Sequence, residues 1–572
     1  MIEPLFFRSP EGGHLSGVWR LPAAFAVPSR VWVVCPPFAE EEKSAHRTLV
    51  ELADSLVAEG DAVFFLAYRG TGDSDGDFAE ATLTAWKQDI EAALNFVRAR
   101  FPGNAYGLLG LRLGASLAAQ VAAEAEVQNL LLIEPVLRGR SFLMQLGARK
   151  KLRAAMTEEE AGGSNAETKE ATTEISDVAY EDLDGWPVGT QLRDELNALS
   201  LSTASLHFSG QALVLQVAPR EKIAPPLEQF VTALNPQAVV RAVVMPAFWN
   251  RLDLVDSSLL IQAVKDFDFS ISGKAEADSP SPQPPASSLP IQALTLESAG
   301  KTIVAVQHPS PQPPASSLIL LHGWTGYRTG PHQMLARAAK QFAGQVRNAL
   351  RFDFAGRGDS EGEAALSTLA TMADDARAAI RFAREKHPQT PVILVGLCSG
   401  CEIAFAVADE PGVAGLVLWS APVFAAGQSS ERVARKRSKH LKDYARKLLR
   451  PATWGKVLSG RLDVKGIRKV VGQGGGEEFK NTETGEAGHL PPGWRSDAMQ
   501  RFEKVNVPSL LIYGTADPTT PEALAWYRGQ LRVPPEVHLV EGANHSYYGL
   551  NWENEVFQIT EAWLSAFERA DK

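Results

Sequence analysis

Two short motifs recur in this chain at one fixed separation, and that recurrence constrains the fold more than any other feature. "YRGTGDSDG" (68–76) matches "FAGRGDSEG" (354–362), and "GLRLGASLA" (110–118) matches "GLCSGCEIA" (396–404). Gly70 precedes Gly110 by 40 residues, as Gly356 precedes Gly396. One supersecondary plan is therefore written twice. "VWVVCPPF" (31–38) and "LILLHGW" (318–324) are apolar strands closing on a turn about 34 residues before each Gly-rich loop. Between them lie amphipathic patterns such as "LVELADSLVAEG" (49–60) and "MLARAAKQFAG" (334–344). Short aliphatic strands alternating with longer helices read as βαβ units on a parallel sheet. The sequence thus predicts an α/β protein of two similar domains in tandem, each a mostly parallel sheet flanked by helices.

The seam is a Pro/Ser/Ala-rich stretch without apolar periodicity, so the expected division is 1–268, a linker over 269–289, and 290–572. "PSPQPPASSL" (280–289) recurs identically at 309–318 and is assigned no chemistry. Each domain carries an insertion, about 138–205 and about 422–500, where such folds place a lid over the strand ends. The two insertions differ in charge. Residues 157–184 hold 10 Asp/Glu against one Lys, whereas 431–470 hold 14 Lys/Arg against 3 Asp/Glu.

Composition narrows the class. A chain of 572 residues with 45% hydrophobic and 22% charged residues has the balance of a globular protein. It shows no run of eighteen apolar residues and no secretory pattern at its start, and three cysteines are too few for a disulfide framework. These features predict a cytoplasmic protein. A net charge of −10 argues against nucleic acid as partner.

The second domain has the parts of a nucleophilic catalyst. In "PVILVGLCSGCEIAFAVA" (391–408) a strand runs into Gly-Leu-Cys-Ser-Gly and then a helix, so Cys398 occupies the nucleophile position of a strained turn. The N–H of Ser399 would face a developing oxyanion, with a second donor expected from the N–H of Trp324. Asp517 ends one strand ("VPSLLIYGTADPTTP", 507–521) and His545 the next ("EVHLVEGANHSYYG", 536–549), in the order nucleophile, acid, histidine. Singly, each residue has a plain structural reading: a buried thiol, a turn residue before Pro518, a helix cap. Their joint placement points to a Cys398–Asp517–His545 triad. "CSGC" (398–401) also reads as a dithiol pair at a helix N-terminus.

The first domain keeps the glycines and loses the chemistry. Arg112 stands at the nucleophile position, Arg220 follows the strand where the acid would lie, and Phe248, Trp249 and Asn250 stand where the histidine would be. Arg112 is either half of a structural ion pair or a reader of carboxylate or phosphate. Ser116, one helical turn onward, is expected to pack.

With these residues in view, the second domain resembles the α/β-hydrolase superfamily over roughly 290–570. "HGWTGYRTGPH" (322–332), "RFDFAGRGDSEG" (351–362) and "GLCSG" are similar to bacterial cysteine-elbow members, including exosortase A system-associated hydrolases of the first type and dienelactone hydrolases. The first domain resembles the second exosortase-associated type, with its "GLRLGA" elbow. The resemblance implies a link to export or surface-polysaccharide systems, and carries Cys398, Asp517, His545, Ser399 and Trp324 into their roles.

The expected function is hydrolysis of a small-molecule acyl ester or thioester through an S-acyl intermediate on Cys398, with no cofactor and no metal. An acyltransferase using the same triad is the alternative within enzymes, and a non-catalytic binding or scaffold protein is the alternative outside them. The basic segment 431–457 is a solvated face, a membrane-surface contact or a site for an anionic acyl carrier. It is also expected to dock on the acidic first insertion.

Overall fold

The computed structural model describes residues 1–9, 12–22, 27–160, 179–201, 206–251, 254–270, 291–344, 346–423, 500 and 505–570. The segment 431–457, its docking on the first insertion, and nearly all of the linker and of 422–500 lie outside the described residues.

Chain order in the first half begins with β1 (Ile2–Arg8), β2 (His14–Arg20), β3 (Arg30–Cys35), α1 (Glu40–Ala58) and β4 (Ala62–Leu66). It continues through α2 (Leu83–Arg100), β5 (Ala105–Leu111), α3 (Leu113–Ala122) and β6 (Asn129–Ile133). The first insertion contributes α4 (Gly139–Glu160), a hairpin of β7 (Tyr180–Leu183) and β8 (Trp186–Gly189), and α5 (Thr190–Ala198). The core resumes with β9 (Gln211–Ala218), α6 (Pro225–Leu234), β10 (Val239–Val244) and α7 (Ser258–Lys265).

The second half repeats the plan. It runs β11 (Gln292–Ser298), β12 (Lys301–His308), β13 (Ser316–Leu321), α8 (Met334–Phe342), β14 (Arg347–Phe352), α9 (Leu369–Lys386), β15 (Val392–Leu397), α10 (Ser399–Ala406) and β16 (Val413–Trp419). Beyond the second insertion come β17 (Ser509–Gly514), α11 (Thr520–Gln530), β18 (Glu536–Val540) and α12 (Leu550–Ala570).

Each half builds one eight-stranded sheet, ordered β1-β2-β4-β3-β5-β6-β9-β10 and β11-β12-β14-β13-β15-β16-β17-β18. β2 and β12 run antiparallel to both of their neighbours, and the remaining pairs are parallel. Central strands such as β3 and β13 are buried along their whole length, because helices cover both faces, and they read as unbroken apolar runs for that reason. The copies run in register: Cys35 pairs with Gly110 across β3–β5, and Leu321 with Gly396 across β13–β15. Thr82 and Thr368 accept a hydrogen bond from the third residue of α2 and α9, so both helices start on the same side-chain cap. Arg112 and Cys398, Asp73 and Asp359, and His46 and His332 each lie 286 residues apart. Two α/β-hydrolase folds stand in one chain. Among the described residues no helix is long and apolar enough to cross a membrane.

Candidate active site

The elbow is held by backbone. Cys398 precedes α10 with φ 55° and ψ −127°, a conformation that a side chain adopts only when its surroundings impose it. Its N–H donates to the Trp419 carbonyl at 3.0 Å, tying the turn to β16. The flanking glycines are there for space. A Cβ on Gly396 would meet the Cys401 nitrogen at 2.7 Å, and one on Gly400 would strike the Leu321 carbonyl oxygen. Helix and strand approach too closely for any side chain.

His545 follows β18, and its Nδ1–H donates to Asp517 Oδ2 at 2.6 Å. Asp517, only 3% exposed, is fixed through Oδ1 by the N–H and hydroxyl of Thr519 at 2.9 and 2.8 Å. Burial alone would raise the Asp517 carboxyl, but His545 and Thr519 hold it below its ordinary value. Burial would also raise the Cys398 thiol; the charge of His545 and its hydrogen bond outweigh that, helped by Ser399, and the thiol is lowered. His545 moves the other way. Burial would lower it, yet Cys398 and Asp517 together raise it to about 10. The three residues singled out in the sequence are thus brought together, the thiol shifted down and the imidazole up by their mutual interaction.

The oxyanion side carries a detail that sequence reasoning missed. The N–H of Trp324 donates to the Ser399 hydroxyl oxygen at 2.6 Å. The preceding Gly323 lies against the elbow, where a Cβ would meet Cys398 Cβ at 3.3 Å. The Ser399 hydroxyl therefore occupies the partner position of that donor. Cys401 is fully buried, its Sγ directed at the Trp419 carbonyl at 3.4 Å, and burial with the neighbouring Cys398 raises its pKa well above normal.

The equivalent place in the first half is closed by other chemistry. Arg112 has the same strained turn, φ 55° and ψ −119°, and its N–H donates to the Ile133 carbonyl at 2.9 Å. Its guanidinium pairs with buried Glu41 at 3.3 Å and lies over Phe142 and Trp249, 5.4 and 5.1 Å from their ring centres. Arg149 shares Glu41 at 3.1 Å. Of the two readings open for Arg112, this geometry favours the ion pair. Trp249 is buried, Arg220 is exposed, and Ser116 is fully buried with its hydroxyl on the Val136 carbonyl at 2.8 Å.

The two halves meet through the loops that surround these sites. Arg328, four residues after Trp324, binds Asp73 of the first half at 3.0 Å as well as Asp353 and Asp359. Arg351 binds Asp73 from the other side at 2.5 Å. His46 pairs with Asp359 at 2.9 Å and stacks on Tyr327, with ring centres 5.0 Å apart. Gln333 holds Gly70 and Gly72, while Arg47 donates to the Gly362 carbonyl at 2.6 Å. The His545 loop is gripped as well: the Tyr548 hydroxyl donates to Glu40 at 2.7 Å, and His332 Nε2 meets the Ser546 carbonyl at 3.0 Å. The first insertion adds Asp182, which accepts from the Leu550 N–H at 2.8 Å, and Gly185, packed so close that a Cβ would meet His332 Nδ1 at 2.6 Å. No sequence signal could have shown these contacts, because they join residues hundreds of positions apart.

Residues 318–557 match the alpha/beta hydrolase family, and residues 42–172 match the serine aminopeptidase family S33. No curated protein matches the chain. Among solved structures, an esterase of Pyrococcus furiosus is similar at 14% identity, over 50% of this chain and 97% of that one, with a TM-score of 0.33. The esterase domain of a Rhodothermus marinus protein is similar at 20% identity, over 48% of this chain and 98% of its own, with a TM-score of 0.31. The thioesterase domain from the curacin biosynthetic pathway is similar at 19% identity, over 47% and 98%, with a TM-score of 0.32.

Proposed function

From a chain that carries two α/β-hydrolase domains in tandem, we propose that the second hydrolyses a small-molecule carboxylic ester or thioester through an acyl-enzyme on Cys398. The observation that carries this reading is His545, held by Asp517 at 2.6 Å beside the thiol of a strained elbow, which it lowers. In the acylation step the Cys398 thiolate attacks the carbonyl carbon, and the oxyanion is taken by the N–H groups of Ser399 and Trp324. The imidazolium of His545 gives its proton to the leaving alcohol or thiol. A water then attacks the thioester, its proton passes to His545, and the acid leaves with Cys398 restored.

The first domain is non-catalytic in this reading. Arg112 is spent on Glu41, and neither Trp249 nor Arg220 can relay a proton. Its work is to hold the Trp324 and His545 loops through Asp73, His46 and Glu40.

The test is burst kinetics with p-nitrophenyl butyrate and a short acyl thioester on wild type and Cys398→Ala, with intact mass spectrometry. An acyl adduct on Cys398 that is absent from the variant is the expected result. Equal background rates and no adduct would instead favour a binding protein.

A further inference from the structure

Ser399 enters the proposed chemistry through its backbone N–H, yet its side chain joins two other parts of that chemistry. The hydroxyl is buried and accepts the Trp324 N–H at 2.6 Å. A hydroxyl used as acceptor still has its own proton to give. The Cys398 sulfur takes it, and that hydrogen bond is among the effects that hold the thiol below its ordinary value. The sulfur is available for it because Cys398, although it stands at the N-cap of α10, makes no side-chain cap to the helix.

The surroundings are shaped to this arrangement. A Cβ at Gly323 would lie 3.3 Å from Cys398 Cβ and 3.6 Å from Ser399 Oγ, so the Trp324 loop reaches both across a residue without a side chain. Folding does not call for the hydroxyl. In the first domain, 286 positions earlier, Leu113 and Phe38 stand where Ser399 and Trp324 stand, both buried, around an elbow of the same backbone form, φ 55° and ψ −119°. The hydroxyl is present beside the thiol and absent where Arg112 takes the thiol's place. Facing the sulfur besides Ser399 are His545 from the loop after β18, with Asp517 behind it, and Cys401 on α10, whose burial keeps its own thiol protonated.

We propose that the Ser399 hydroxyl is a positioning group for the nucleophile: in the free protein it carries the pull of the Trp324 N–H through its own O–H to the Cys398 sulfur, and so keeps the thiolate ready beside the oxyanion donors. Linked hydrogen bonds polarise one another, so the sulfur gains more from this hydroxyl than from one without a donor behind it. In acylation the sulfur gives up its charge to the S–C bond, which removes the hydroxyl's acceptor as the oxyanion claims the Trp324 N–H. The inference deepens the acyl-enzyme reading and rests on it for the use made of the thiolate.

The experiment follows alkylation of Cys398 by iodoacetamide against pH on the full chain, with peptide mass spectrometry to separate it from buried Cys35 and Cys401. Loss of one hydrogen bond to a charged sulfur should move the midpoint of Ser399→Ala upward by about one pH unit, roughly a tenfold loss of thiolate at a pH below both midpoints. Ser399→Thr and Ser399→Val share one shape and differ in the hydroxyl: the first should titrate like wild type and the second like Ser399→Ala. A hydroxyl that merely packs would alter the melting temperature and leave the midpoint in place. An unchanged midpoint in Ser399→Ala overturns the proposal, and so does one midpoint shared by Ser399→Thr and Ser399→Val, which also decides the case should Ser399→Ala not fold. Alkylation transfers no acyl group, so the shift is measurable in a protein that forms no acyl adduct, and the two readings fail separately.

Discussion

At the scale of single residues, the reactivity proposed for Cys398 is a matter of ionisation. Burial works against the thiolate and His545 works for it, with the second effect the larger. Because the two protons belong to the pair, alkylation of Cys398 by iodoacetamide, followed by peptide mass spectrometry, should titrate with a midpoint below the roughly 8.5 of a free thiol. His545→Gln should move that midpoint upward; the same midpoint in both proteins would remove the imidazole from the pair. The linkage has a definite sign. His545 binds its proton more tightly when folded, so its contribution to stability is complete below its unfolded pKa and is lost as pH rises through about 10. Cys398, Asp517 and His545 could be read from the sequence because each closes an apolar strand, and strand ends are legible. The Ser399 hydroxyl on the Trp324 N–H could not, since it arises from loops brought side by side.

At the scale of elements, the elbow answers why the first domain keeps both glycines around Arg112. Gly114 faces the carbonyl oxygens of Cys35 and Pro36, as Gly400 faces that of Leu321. These contacts belong to the packing of α3 and α10 against β3 and β13, and they are needed whatever residue sits between the glycines. Gly114→Ala should therefore destabilise the chain about as much as Gly400→Ala, each by about 1–3 kcal/mol or more, since backbone cannot yield as a side chain can. Urea unfolding of the two variants checks this, and a harmless Gly114→Ala would return the glycine to chemistry. The parallel strands were legible in the sequence because burial on both faces makes them unbroken apolar runs. The antiparallel pairs β1–β2 and β11–β12 and the β7–β8 hairpin gave no such signal: β1 and β11 are half-exposed along most of their length, and β7 carries Glu181 and Asp182.

At the scale of the whole molecule, buried ion pairs decide how the halves are held. Asp73 answers both Arg328 and Arg351, so Asp73→Ala would take the carboxylate from buried Arg351, leave Arg328 to Asp353 and Asp359, and should lower stability by about 3–5 kcal/mol. Turnover should fall with it, although the residue touches no part of the proposed triad, because Arg328 anchors the Trp324 loop. X-ray scattering together with steady-state rates tests the pair of effects; an intact scattering profile with unchanged rates would sink both. Burial alone would raise the Asp73 carboxyl, but the two arginines hold it at about 2. Its contribution is thus complete above the ordinary carboxylate pKa of about 3.9 and lost as pH falls through about 2, so the domains should loosen only in strong acid. The contacts are exchanged almost symmetrically: position 47 of one half reaches the Gly-rich loop of the other, and position 333, its repeat equivalent, reaches back. Two identical subunits facing each other in this way would have to use one residue for both jobs and would part on dilution. Joined in one chain, the halves are free to place arginine on one side and glutamine on the other, and their association no longer depends on how much protein the cell makes.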